Sequence, residues 1–315
     1  MNGDAEVARA AFPLARPVWR SIADYVELMK PELTSLSVLT ALCSFLIAHS
    51  GQWTASDFGL LTNLALGTTL LGGGAGALNQ YLERGHDRLM KRTERRPLPA
   101  MRISPDSALL FGILSASAGL LLLAFFVNAL TGFLAAATII SYLFLYTPLK
   151  RISPVATTMG GIPGALPPVM GWVAARNELS YQGLILFAIL FLWQMPHFFS
   201  LAWLYRKDYA RAGYKLLTVV DETGARTSLH ILANCAALIP ISLIPSVTGM
   251  TSTLYFIGAL IGGMAFLCFG VMFALSFTSV REDRALRSNQ SARRLFFASL
   301  IYLPSLFFLM VIDKV

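Results

Sequence analysis

Asn79-Gln80-Tyr81-Leu82-Glu83-Arg84-Gly85-His86-Asp87-Arg88-Leu89-Met90-Lys91-Arg92-Thr93-Glu94-Arg95-Arg96-Pro97-Leu98-Pro99 begins inside a charge-free run, 58–82, and then turns abruptly ionic. Asn79, Glu83 and Asp87 recur every fourth residue. On a helix turning ~100° per residue, a step of four drifts only ~40°, so the three oxygen-bearing side chains share one face, about 6 Å apart along the axis. A row of hard oxygen donors suits Mg2+, which keeps several waters, takes one or two carboxylates and completes its shell with phosphate oxygens. Asn79, Glu83 and Asp87 are therefore candidate metal ligands, and Arg88, Lys91, Arg92, Arg95 and Arg96 are candidate partners for the same anion. Charged residues at helical spacing more often make a solvated helix end. Here Gly72, Gly73, Gly74 and Gly76 lie just upstream and allow close packing, and ionisable groups at the rim of a membrane span are functional candidates.

The run that precedes the motif is one of several. The chain has 315 residues, 56% apolar and 13% charged, against about 25% charged in a soluble domain. Stretches without Asp, Glu, Lys or Arg cover 33–56, 58–82, 107–149, 152–175, 179–205, 227–280 and 295–312. A span needs ~20 residues, so the two longest stretches each hold two, divided near Asn128 to Gly132 and Pro245 to Thr251. The expectation is an all-α membrane protein with nine transmembrane helices. If the N-terminus is cytoplasmic, 23 of the 25 Lys and Arg residues fall on the cytoplasmic side and only Arg176 and Lys314 fall outside, as the positive-inside rule requires. The net charge of +8 is then mostly topology, with membrane lipid as the expected partner and no nucleic acid. Cys43, Cys235 and Cys268 fall within predicted spans without metal-ligand spacing and read as packed thiols.

Residues 1–32 are expected to form a cytoplasmic N-terminal segment, and 33–315 the nine-helix domain. The segment lacks the pattern of a cleaved signal peptide. Within it Val18, Ile22, Tyr25, Val26 and Met29 share one helical face, which predicts an interfacial helix leading into the first span. The fourth span ends in Tyr146-Thr147-Pro148-Leu149-Lys150-Arg151, on the same side as the acidic motif, and Tyr146, Lys150 and Arg151 are candidate diphosphate contacts. Residues 160–172 carry three prolines and four glycines, predicting a broken or kinked helix that lines a substrate chamber. Trp193-Gln194-Met195-Pro196-His197-Phe198 places Gln194 and His197 three apart on what reads as a ligand-facing side. Asp208, with Arg206 and Lys207, follows the sixth span as Glu83 and Asp87 follow the second, so a loose internal duplication would bring Asp208 to the metal and the two cations to the substrate. His230 and Asn234 read as packing residues, and Arg281 to Arg294 as a solvated cytoplasmic loop.

The Asn79-x-x-x-Glu83-x-x-x-Asp87 motif with Met90-Lys91-Arg92-Thr93 and Arg96-Pro97, the Tyr146 to Arg151 run, the Gly160 to Trp172 stretch and Trp193 to Phe198, in that order, resemble the protohaem IX farnesyltransferase (haem O synthase) branch of the UbiA superfamily of intramembrane prenyltransferases. The resemblance runs from about Lys30 to the ninth span. It implies a nine-helix UbiA-type bundle in the bacterial inner membrane, Mg2+ as cofactor, farnesyl diphosphate and haem B as substrates, and haem O and diphosphate as products. It also implies a place in cytochrome oxidase assembly beside a downstream haem A synthase or oxidase assembly factors. This chain departs from the superfamily in carrying Glu83 at the middle position, commonly aspartate, and in following Asp208 with Ala212 where a second aspartate is common.

Other readings of the sequence are a UbiA-type transferase for a quinone-precursor or chlorin acceptor, a carrier for an anionic lipid or haem, and a non-catalytic haem chaperone. An acceptor panel separates the first. A carrier should place polar groups near the midplane, and a chaperone should bind haem without releasing diphosphate.

Overall fold

Charge-free stretches become helices, several of which continue through internal prolines. In the computed structural model, which describes residues 18–278 and 281–315, the order is α1 Val18–Leu28, α2 Pro31–Ala48, α3 Ala55–Asp87, α4 Pro105–Phe126, α5 Ala129–Ile152, α6 Ala156–Arg176, α7 Tyr181–Leu204, the short α8 Arg206–Arg211 and α9 Leu217–Val220, α10 Ala225–Val247, α11 Thr253–Leu275 and α12 Arg281–Ile312. The 107–149 stretch divides at Asn128, whose Oδ1 accepts from the Thr131 N–H at 2.8 Å and caps α5. The 227–280 stretch divides after Pro245, where Gly249 at φ 75° supplies a turn that disfavours other residues.

Among the described residues, eight helices are long and apolar enough to cross a membrane: α2, α3, α4, α5, α7, α10, α11 and α12. The protein is an integral, multi-pass membrane protein, and large apolar side chains such as Phe125, Phe144 and Phe308 stay exposed for lipid. Glycine and proline dilute the apolarity of α6, 21 residues long. It nevertheless packs against α2, α5 and α7 with most of its length buried.

Polar contacts define two ends of the bundle. At one end Lys30 meets Asn79, Lys150 meets Glu83, the Lys215 N–H donates to the Lys150 carbonyl at 3.0 Å, and Arg206 donates to Asn289 at 3.1 Å. At the other, Asn128 donates to the Val173 carbonyl at 3.0 Å, Lys314 to the Leu46 carbonyl at 2.7 Å, and the Ser252 N–H to Asp313 at 2.9 Å.

Two expectations need correction. Of the broken or kinked helix expected at 160–172, the break is absent: α6 runs through Pro163, Pro167 and Pro168 without interruption. Gln194 Nε2 donates to the Gly161 carbonyl at 2.7 Å and so ties α6 to α7. The small residues instead admit neighbours, since a Cβ on Gly171 would lie 1.9 Å from the Ala41 carbonyl oxygen and one on Gly160 2.5 Å from the Tyr146 ring. Residues 281–294 are likewise not a loop. They are the first turns of α12, in a segment with neither Gly nor Pro and rich in good helix formers.

The interfacial face expected on the N-terminal helix is divided. Residues 1–17 lie outside the described residues. In α1, Leu28 packs with Ala77 and Ala108, Tyr25 lies 5.0 Å from the Phe111 ring, and Gln80 Nε2 donates to the Leu28 carbonyl at 3.1 Å, while Ile22 and Val26 stay exposed. Arg102, from the loop after the motif, bridges Asp24 and Glu27 and ties α1 to that loop.

Candidate active site

The every-fourth ladder survives folding as one buried face at the end of α3. Asn79, Glu83 and Asp87 are 0%, 4% and 1% exposed, too buried to remain stable without partners. Each is met by a basic residue from a different segment. Lys30, in the turn between α1 and α2, donates to Asn79 Oδ1. Lys150, near the end of α5, donates to Glu83 at 2.9 and 3.3 Å. Arg96, in the loop after α3, donates to Asp87 Oδ2 at 3.0 Å. The Thr93 hydroxyl donates to the Asp87 carbonyl at 2.8 Å and folds that loop back over the helix end.

Lys30 adopts φ 50° and ψ 63°, a left-handed conformation that lysine rarely takes. Burial, together with Arg96 and Lys150, pushes its amine down to about 7, while Glu83 and Asp87 pull the other way.

Further groups close over this face. A π-helical turn, Ser141–Tyr146, precedes Pro148 in α5; such turns re-aim side chains and recur at functional sites. It sets the Tyr146 ring 4.4 Å from Lys150 Nζ. Tyr214 packs with Met90 and its ring lies 5.5 Å from His86. Burial and then the Glu83 carboxylate push the Tyr214 hydroxyl up, so it stays protonated and able to donate. The loops after α3 and α7 are joined directly, because Arg92 donates to the Tyr209 hydroxyl at 3.2 Å and lies over the Tyr205 ring. Asp208 sits beside Tyr209 and is paired with Arg211 at 3.3 Å.

The remaining candidates take other positions. Arg88, Lys91, Arg95 and Lys207 are exposed. Arg88 and Arg151 line an open cavity of about 430 Å3 together with Arg84 and His86, and Arg151 also donates to the Leu82 carbonyl at 3.2 Å. Arg206 donates to Trp203 and Asn289, and partial burial lowers its guanidinium from the usual value.

Gln194 and His197 diverge instead of sharing a face. Gln194 is spent on α6, whereas His197 faces α12, with its Nδ1 2.7 Å from Ser299 Oγ and its ring stacked between Trp193 and Phe296. The Ser299 hydroxyl gives its one proton to the Phe296 carbonyl at 2.5 Å. It therefore accepts from Nδ1–H, which leaves a lone pair on Nε2.

Sequence reading did not single out Lys30, Thr147, Tyr209, Tyr214 or Ser299. For Lys30 a usable signal existed, a basic residue directly before a helix-starting proline at the same end as the motif. For the others, ordinary polar residues in apolar surroundings give no pattern to separate them from packing.

The donor set fits Mg2+ in kind, with one amide and two carboxylate oxygens in steps of one helical turn. Among the described residues no group of three or more His, Cys, Asp or Glu forms a metal cluster. A metal ion on this face would have to complete its shell with water and phosphate oxygens.

A membrane bundle that buries a metal-type oxygen ladder among cations at one end defines a class, the intramembrane enzymes that act on an anionic lipid-tailed substrate. The chain belongs to the UbiA prenyltransferase family, which matches it over residues 37–306.

Similar proteins include the protoheme IX farnesyltransferase of Solibacter usitatus, 43% identical over 297 residues with 92% of this chain and 98% of the relative covered. That of Opitutus terrae is 42% identical, covering 93% and 95%. The mitochondrial protoheme IX farnesyltransferase of Arabidopsis thaliana is 38% identical, covering 89% of this chain and 62% of the relative. Among solved structures, a digeranylgeranylglyceryl phosphate synthase aligns with a TM-score of 0.74 at 15% identity over 93% of this chain and 98% of that one. A UbiA homolog from Archaeoglobus fulgidus, bound to GPP and Mg2+, aligns with a TM-score of 0.63 at 14% identity, covering 89% and 99%. These two structures establish the shared fold.

Proposed function

We propose that the chain transfers the farnesyl group of farnesyl diphosphate to a vinyl group of haem B, with addition of water, giving haem O and diphosphate. The observation that carries the chemistry is the buried Asn79–Glu83–Asp87 face with a basic partner on every member. Identity of 43% across nearly the whole length of a protoheme IX farnesyltransferase supports the choice of substrates.

Asn79, Glu83 and Asp87 would hold Mg2+, with Asp208 the candidate from the second loop. When bound, the ion supplies Lewis-acid stabilisation to the departing diphosphate. Lys150, Arg96 and Arg92, with Arg88, Lys91, Arg95 and Arg151 around them, offset the charge that develops on diphosphate as the allylic C–O bond breaks. Tyr146, Arg206 and Lys207 complete the substrate contacts. The surrounding helices keep the farnesyl chain from water, which would otherwise capture the cation.

The π electrons of a haem vinyl group form the new C–C bond to the allylic carbon. Water then adds to the porphyrin-stabilised cation and loses a proton, giving the hydroxyl. His197, its Nδ1 engaged by Ser299, would ligate the haem iron through Nε2 or orient the macrocycle, with Gln194 fixing the helix beside it.

We place the protein in the bacterial inner membrane with nine crossings, α6 being the ninth. The N-terminus and active site face the cytoplasm, and α1 lies at the membrane surface. The product then passes to a haem A synthase or to oxidase assembly factors. Purified protein given farnesyl diphosphate, haem B and Mg2+ should yield a hydroxyethylfarnesyl haem, identified by mass. No such product under these conditions rejects the assignment.

A further inference from the structure

Asn79 can serve a metal ion only through its amide oxygen, and the structure fixes where that oxygen points. The Thr147 hydroxyl gives its proton to the Tyr142 carbonyl at 2.9 Å and so accepts from Asn79 Nδ2 at 3.0 Å. Oδ1 is left for the pocket, and there the Lys30 amine donates to it.

The three basic partners of the ladder are not equivalent. Lys150 and Arg96 each neutralise a carboxylate, whereas Lys30 sits on a neutral amide that needs no counter-ion. Lys30 is also held inward by a strained backbone, at φ 50° directly before Pro31. This turn is seated on the glycine stripe of α3: a Cβ on Gly73 would lie 2.4 Å from the Met29 side chain, and one on Gly76 3.1 Å from the Met29 carbonyl. The packing thus positions a basic group whose contact with a neutral amide uses little of its capacity.

We propose that Lys30 is a diphosphate-binding residue that also guards the Asn79 metal position. In the structure its amine holds Oδ1. When metal and diphosphate enter together, the metal takes Oδ1 and Lys30 turns onto a diphosphate oxygen. A divalent ion arriving alone meets a basic group on one of its three ligands and binds weakly. Diphosphate gives Lys30 a new partner and frees that ligand. Lys30 therefore makes the two binding events depend on each other, a coupling that is reciprocal by thermodynamic necessity. The inference rests on the Mg2+–diphosphate reading proposed above.

The test uses the full-length protein in detergent, Mn2+ as a paramagnetic replacement for Mg2+, and inorganic diphosphate as the probe. Free and bound Mn2+ are counted by electron paramagnetic resonance. Without diphosphate, Lys30→Met should bind Mn2+ at least tenfold more tightly than the unaltered protein. In saturating Mn2+ it should bind diphosphate at least tenfold more weakly, and Lys30→Arg should stay close to the unaltered protein in both measurements. Lys30→Gln is expected to follow Lys30→Met and replaces it if the methionine variant melts early. Mn2+ affinity that is unchanged or weaker in the neutral variants overturns the guarding role, and unchanged diphosphate affinity overturns the binding role. If no variant and not even the unaltered protein binds Mn2+ with diphosphate present, the metal reading itself falls.

Discussion

Lys150 Nζ lies 2.9 Å from Glu83 Oε1 and 3.3 Å from Oε2, a nearly symmetric contact between residues 67 positions apart on α5 and α3. The side chains are 14% and 5% exposed, so the pair is largely removed from water. Removing one partner from such a pair costs about 3–5 kcal/mol, because the other charge stays buried alone. Lys150→Met alone is expected to lower thermal stability in detergent and, on the mechanism proposed above, to reduce product formation by at least ~100-fold through loss of a charge facing the leaving diphosphate. The double variant Glu83→Gln, Lys150→Met should recover most of the stability and none of the activity. Recovery of turnover in the double variant would reduce the pair to a structural clamp.

Asp87 presents a different case. It is 1% exposed, paired with Arg96 at 3.0 Å, and its carbonyl accepts from Thr93. The backbone contact does not depend on the side chain, so Asp87→Asn and Asp87→Ala should remain folded while losing turnover. Farnesyl diphosphate consumption and a melting curve, measured on the same sample, separate the two effects. Near wild-type consumption in Asp87→Ala removes it from the metal set.

For His197 the readout is optical. Ser299 holds Nδ1 and leaves Nε2 free, so His197→Ala should change the haem absorption spectrum while farnesyl diphosphate still binds. Ser299→Ala should give a smaller change in the same direction, because the ring loses its orientation but keeps its ligand atom. An unchanged spectrum in His197→Ala eliminates it as an iron ligand.

Packing between α2 and α6 depends on one missing side chain. A Cβ at Gly171 would lie 1.9 Å from the backbone oxygen of Ala41, and backbone cannot swing aside as a long side chain can. Gly171→Ala should destabilise by about 1–3 kcal/mol or more and lower the folded yield. Gly59, within α3, has nothing within 4 Å of its ideal Cβ, so Gly59→Ala should be neutral or stabilising by up to about 1 kcal/mol. Comparison of the two melting temperatures checks close approach against helix propensity.

Sidedness can be read by proteolysis. The loop after α3 exposes Lys91, Arg92 and Arg95, and trypsin should cut there in inverted membrane vesicles but not in right-side-out ones. Cleavage from the periplasmic face would reverse the orientation of the whole bundle.

Much of the molecule was legible because its signals are local. Apolar runs without charge became membrane helices, Asn128 and the Pro245 to Thr251 turn divided the long runs in two, and the every-fourth spacing of Asn79, Glu83 and Asp87 did form a single buried face. Local signals also misled. Proline and glycine in 160–172 predicted a broken or kinked helix, yet α6 runs through all three prolines without interruption. Charge density in 281–294 predicted a loop, yet helix formers without interruption carried α12 through it.

Sequence by itself determined the membrane class, the helix register of the oxygen ladder and the crowding of basic residues around it, since composition and periodicity depend only on neighbours along the chain. Only the tertiary structure decided that Lys30, Lys150 and Arg96 meet those three oxygens one apiece, that Arg92 reaches Tyr209, and that Gln194 and His197 turn to different helices. Those pairings depend on how deeply one helix seats against the next. That depth is set where backbone meets backbone, as at Gly171 against Ala41, between residues far apart in the chain.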